Sequence, residues 1–148
     1  MTESYDLKFI KCVIENRKCA LAFADFNKPD ILENKYIKFG KGLIDVIKTY
    51  HQVPSLAVLQ KTSKEETIQQ YIVKTYEESI AEVVEEKDFE FYFKELKDRY
   101  KRRKINSFVE DFENNKGKSI KELEVKVRDV FTSIQNLDSS IGVESRTL

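Results

Sequence analysis

Turn-forming residues are what this chain has least of: four glycines and two prolines in 148 residues. The closely spaced strands of a sandwich or barrel need more punctuation than that, so the sequence reads as all-α. Net charge is missing as well. The 26 Lys and Arg are balanced by 26 Asp and Glu, which leaves no overall field to attract a polyanion, and a globally basic nucleic-acid binder is not expected. Two cysteines, Cys12 and Cys19, are too few for a disulfide framework and read as reduced core residues. Met1–Lys11 carries acidic residues and no apolar run, and nowhere do eighteen apolar residues follow one another. A soluble, cytoplasmic protein with no membrane association is therefore expected. What is abundant is aromatic and charged: ten Phe and seven Tyr within a 41% hydrophobic composition, and 35% charged residues. That is enough for a real core under a heavily solvated surface.

Apolar positions recur with helical spacing along most of the chain. Tyr5, Phe9, Ile10, Val13 and Ile14 mark a first helix ending near Asn16, and Lys18–Asp25 a short second one, apolar nearly all round. Pro29 breaks the pattern. Asn34–Tyr50 is a third helix, with Gly40 on its apolar stripe, where a close helix approach accounts for a residue of poor helix propensity. Ser55 is placed to cap a short helix bearing Leu56, Val58 and Leu59 after Pro54. Ser63 and Glu66 read as a capping box for a helix whose inward positions are Ile68, Tyr71 or Ile72, Tyr76, Ile80 and Val83 or Val84. Residues 1–86 thus form a compact bundle of five or six helices.

Residues 87–137 read differently, as a long antiparallel helical hairpin. Asp88 to about Glu113 has no Gly or Pro and places Phe89, Tyr92, Phe93, Leu96, Tyr100, Phe108, Val109 and Phe112 on one broad face. Asn114–Lys118 is the turn, and Ser119 with Glu122 a second capping box. Ile120, Leu123, Val127, Val130, Ile134 and Leu137 then step by three and four, a seam for packing along another helix. Residues 138–148 have no periodicity and read as a tail or the start of an interdomain linker.

No catalytic constellation emerges. Gly117–Lys118–Ser119 looks like the end of a phosphate-binding loop, but the glycine required five positions earlier is Phe112, and a helical pattern precedes it where a strand is needed. It reads as a turn and cap. His51 stands alone as a turn histidine, with no second His or neighbouring Cys to complete a zinc site. No metal, cofactor or enzymatic activity is expected. Arg99, Lys101, Arg102, Arg103 and Lys104 are the densest basic run. On a helix they point in several directions, so a solvated face is the first reading; Arg99, Arg102 and Arg103 remain the residues for any nucleic-acid contact.

The more informative feature is an apolar surplus. A two-helix hairpin has little interior, yet its arms carry more large apolar side chains than they can hide from water. Either the hairpin folds back onto the bundle, or it pairs with a second chain through Phe108, Phe112, Leu123, Val127, Val130, Phe131 and Ile134.

Three stretches together resemble the N-terminal domain of DnaB-type replicative helicases, most closely the phage-encoded versions. They are the helix, turn and short helix of Leu43–Leu59 with its Val53–Pro54 step; the aromatic opening and basic middle of Phe91–Ile105; and the turn and second arm from Gly117–Leu123 through Val130–Ile134. The similarity spans residues 5 to 137. It implies a noncatalytic collar in which hairpins pair between subunits, as dimers within a hexamer, and which docks primase and helicase loader, in the host cytoplasm if phage-encoded. The family's RecA-like ATPase, which would follow the tail and use ATP and magnesium, is not in this sequence. Two alternatives stay open: the helicase-binding domain of a primase, similar in architecture but acting as a guest, and a single-strand DNA-binding replication accessory protein.

Overall fold

The computed structural model describes residues 4–114 and 119–146, with side chains through Leu137. Among them are seven α-helices and no strand: α1 Tyr5–Glu15, α2 Arg17–Phe26, α3 Asn34–Tyr50, α4 Leu56–Gln60, α5 Glu66–Ile80, α6 Phe89–Asn114 and α7 Ile120–Arg146, with 3-10 turns at Pro29–Ile31 and Glu86–Asp88. The chain divides into two compact units, Met1–Leu96 and Lys97–Leu148. The division falls inside α6, ten residues beyond the change of pattern at residue 86, because the opening turns of this helix supply core side chains to the first unit.

Local chemistry sets the starts and stops in the first unit. Ser4 Oγ accepts the Leu7 N–H at 3.3 Å, capping α1. Asn16 ends α1 and begins α2, its Oδ1 accepting the Cys19 N–H at 3.1 Å. Asn27 and His51 close α2 and α3 in the left-handed conformation, both at φ 54°. Ser55 caps α4 through the Val58 N–H. The capping box read at Ser63 and Glu66 does not form. Ser63 Oγ instead accepts the Glu65 N–H at 3.2 Å, and its carbonyl takes the Gln69 side-chain amide at 2.8 Å, so Ser63 makes a turn and the helix opens later, at Glu66.

In the core, α1 packs on α2 and α5, and α3 on α2, α4 and α5. Phe9 is the hub. Its ring lies 5.1 Å from Phe23, 5.0 Å from Phe89 and 5.1 Å from Phe93, and Phe93 meets Phe26 edge-on at 4.9 Å. Such offset and edge-to-face pairs add stabilisation beyond the area they bury. Asp6, buried on α1, accepts the Glu33 N–H at 2.9 Å and so ties the first helix to the start of α3. The end of α5, which has no basic residue of its own in its last turn, receives cations from α1: Lys11 Nζ donates to the carbonyls of Ile80 and Glu82, and Lys8 Nζ to that of Val83.

The inward face of α5 differs in part from the expected one. Ile72 is buried as expected and Ile68, Tyr71 and Tyr76 are half-buried, but Thr75 and Ser79 are buried as well and Ile80 is exposed; past the helix, Val84 is half-buried and Val83 exposed. Small side chains face the helices packed against α5, and the Ser79 hydroxyl is satisfied by the Thr75 carbonyl at 2.8 Å. A second difference lies at the carboxyl end, where the backbone stays helical to Arg146; residues 138–146 contain no proline to stop a helix once started.

The second unit holds the two arms. Lys126 Nζ reaches Asp111 Oδ2 at 3.8 Å, and a groove between the arms is lined by Lys104 and Ser107 on α6 and by Asp129 and Ser133 on α7, so the arms run antiparallel. Ser119 Oγ accepts the Glu122 N–H at 3.3 Å, as expected of a cap on α7. Apart from Asn114, the turn read over Asn114–Lys118 lies outside the described residues.

The two helical glycines of α3 should respond oppositely to alanine. A Cβ on Gly40 would stand 2.7 Å from Leu32 Cδ1 and 3.3 Å from Pro29 Cβ, whereas one on Gly42 meets nothing nearer than 4.0 Å. Gly42→Ala is expected to stabilise by about 0.5–1 kcal/mol through helix propensity. Gly40→Ala is expected to destabilise by about 1 kcal/mol or more, because the overpacking outweighs that gain. Urea unfolding followed by circular dichroism measures both. In the same assay Asp6→Ala should lose about 1.5–3 kcal/mol by leaving the Glu33 N–H without its charged acceptor.

Candidate functional site on the helical hairpin

The two arms present two chemically distinct faces. One is the groove, about 240 Å³, lined by Lys104, Ser107, Phe108 and Asp111 from α6 and Lys126, Asp129, Val130 and Ser133 from α7. Its charges alternate and pair, as at Lys126–Asp111, and they do not converge on a point where a reacting atom could be held.

The other face is apolar. Helical residues advance about 100° each. On α6, Ile105, Val109 and Phe112 therefore lie about a third of a turn from the groove-lining set, and on α7 Ile120, Val127 and Phe131 lie about a third of a turn from theirs. Both offsets have the same sense along the chain. Because the arms are antiparallel, equal senses bring both stripes to the same side, opposite the groove. All six side chains are between 46% and 75% exposed. Val125 is also exposed but lies on the other flank of α7.

This arrangement sorts the residues singled out in the sequence. Phe112, Val127 and Phe131 belong to the open apolar face. Phe108 and Val130 line the groove between the arms, while Leu123 and Ile134 are half-buried at its shoulder. Ile105, Val109 and Ile120 complete the open face, and none of the three is in the interface set read from the sequence. Ile105 was masked by the basic run beside it. The steps of three, four and three from position 102 through 105 and 109 to 112 were the signal that could have found Ile105 and Val109.

The surplus on the first arm begins later than expected. Phe89, Tyr92, Phe93 and Leu96 are buried, and the ring contacts of Phe89 and Phe93 lie within the first unit. They are core residues of the bundle and leave no apolar excess. Apart from Phe91, 51% exposed near the start of α6, the excess on this arm runs from Ile105 onward.

The basic run has no common direction. Arg102, Arg103 and Lys104 are exposed and Arg99 and Lys101 half-buried. The Arg103 guanidinium and the Lys104 ammonium both lie over the Tyr100 ring, at 5.9 and 5.4 Å. Successive residues point to different quadrants of α6, so a single phosphate track is not laid out on one face.

No group of three or more His, Cys, Asp or Glu side chains able to hold a metal occurs among the described residues. His51 is an exposed cap residue whose carbonyl accepts the Arg17 Nε–H at 3.2 Å. Among the same residues no helix is long and apolar enough to cross a membrane.

Cys12 and Cys19 lie on different helices, both buried and both free. Burial, followed by nearby negative charge, pushes the Cys12 thiol up to about 11. Burial is likewise the main cause at Cys19, pushed up to about 12. Both are protonated and poorly nucleophilic at neutral pH. A thiol reagent at pH 8 is expected to label neither until denaturant is added; rapid labelling of the native protein would contradict this burial. Since both folded values lie above the ordinary 9.0, the stability they contribute is complete below pH 9 and is lost as pH rises through about 11 and about 12.

Compared with known proteins, the chain matches no family model, no curated protein and no solved structure.

Proposed function

We propose that this chain is a noncatalytic assembly domain that joins copies of itself through its hairpin, and that it serves as the N-terminal collar of a DnaB-type, phage-like replicative DNA helicase. The reading is supported above all by the open apolar face of the second unit. Six large side chains stay in water there although the rest of the chain has a well-filled core. Burying such a side chain is worth roughly 1.5–3 kcal/mol, so a matching surface gains several times that on covering the face. A second copy of the same face is the simplest match, because identical patches related by a two-fold axis are self-complementary.

The helicase assignment rests on the sequence resemblance, with which an all-helical bundle followed by paired long arms agrees. Primase and helicase loader are the partners it implies, and in this reading the DNA-unwinding motor with its ATP and magnesium belongs to another domain. Direct DNA binding is expected to be weak or absent.

Sedimentation equilibrium tests the assembly. The wild-type chain is expected at a multiple of 17.4 kDa, and Val127→Glu, on the exposed face, at the mass of a single chain with an unchanged helical spectrum. A wild type that stays monomeric across micromolar concentrations, yet binds an assembled helicase ring, would replace this reading with the primase-domain alternative.

A further inference from the structure

We propose that the α6 arms of two chains pair antiparallel about a two-fold axis beside position 107, laying Arg102 of each chain over the partner's Phe112 and next to the partner's Glu113. The inference rests on the self-association proposed above and adds its direction, its register and a role for one arginine of the basic run.

The exposed stripe of α6 is palindromic. Arg102, Ile105, Val109 and Phe112 are separated by steps of three, four and three, and the reversed order gives the same steps. Two copies running in opposite directions therefore align every layer at once when their axis passes beside position 107. Ile105 falls against the partner's Val109, twice, and Arg102 against the partner's Phe112, twice. This is the layer pattern of an antiparallel two-helix seam. All four side chains of the stripe are exposed, so none needs to leave a core to take part.

Charge selects between the two directions. The stripe is cationic at its start, at Arg102, and anionic at its end, at Glu113, both exposed. A parallel pairing stacks Arg102 on Arg102 and Glu113 on Glu113, setting like charges face to face. The antiparallel pairing brings each guanidinium to a carboxylate and an aromatic ring, both of which arginine favours. Within one chain Arg102 and Glu113 are separated by roughly 16 Å of helix, too far to pair. Any coupling between them must therefore pass between chains. Arg102 on this account is an interface cation, and its replacement alters assembly before it alters any contact with DNA.

The test uses the full chain and sedimentation equilibrium. Arg102→Glu and Glu113→Arg are each expected to weaken self-association about tenfold or more, and the double variant R102E/E113R to return within about threefold of wild type, since a swapped pair restores attraction across the interface. An independent readout comes from cysteine pairs. A mixture of Ile105→Cys and Val109→Cys chains should form a disulfide-linked dimer under mild oxidation, and neither variant should do so alone. No recovery in the double variant, or cross-linking of either cysteine variant with itself in preference to the mixture, overturns the register; if Val127→Glu still dissociates the wild-type oligomer, the self-association itself stands. A monomeric wild type removes both.

Discussion

The Phe9 ring is the contact on which the division of labour in this chain depends. It joins α1 to Phe23 of α2 and to Phe89 and Phe93 of α6. Those contacts commit the aromatic opening of α6 to the interior of the first unit. They also decide which aromatics are left over. Had Phe89 and Phe93 been surface residues, the apolar excess of the arms would be spread along the whole of α6; with both buried, it lies, Phe91 apart, from Ile105 onward.

That confinement gives the second unit its character. Its interior is thin: α6 and α7 meet across a groove lined largely by charged and small polar side chains, with Phe108 and Val130 as its apolar members. The opposite face carries Ile105, Val109, Phe112, Ile120, Val127 and Phe131, all exposed. A two-helix layer cannot shield both of its sides, and here the composition of the two sides differs by design of the spacing alone. The polar side is at ease in water, and the apolar side is the one for which association lowers the free energy.

Much of this was legible from residue spacing. The limits of α1 and α3, the Ser55 cap, the need for glycine at position 40 and the two-arm organisation all follow from periodicity, caps and the shortage of turn-formers. What was not legible depended on three-dimensional choice. At the end of α5 the spacing points to Ile80 because it is larger and more apolar than Thr75 and Ser79, and periodicity cannot show that a closely packed neighbour favours the small pair. The Ser63 box was misread because a serine three residues before a glutamate also suits a turn that delays the helix. At the candidate site, the seam on α7 was visible, but the partition of its residues between the groove and the open face required the positions of both arms. Ile105 was hidden by its charged neighbours, since a run of cations draws attention to charge and away from the isoleucine at its end.

Asn16 has a bearing on how this fold can change over time. The same residue terminates α1 and caps α2, with its backbone extended at φ −131° and ψ 123°. There is consequently no spare loop between the first two helices to absorb a change in chain length. One residue gained or lost on either side would swing the following helix by about 100° and turn its buried stripe toward water. Insertions and deletions should therefore be purged from this junction more strongly than substitutions. The angle between α1 and α2 would then persist in descendants whose surfaces have otherwise drifted far apart.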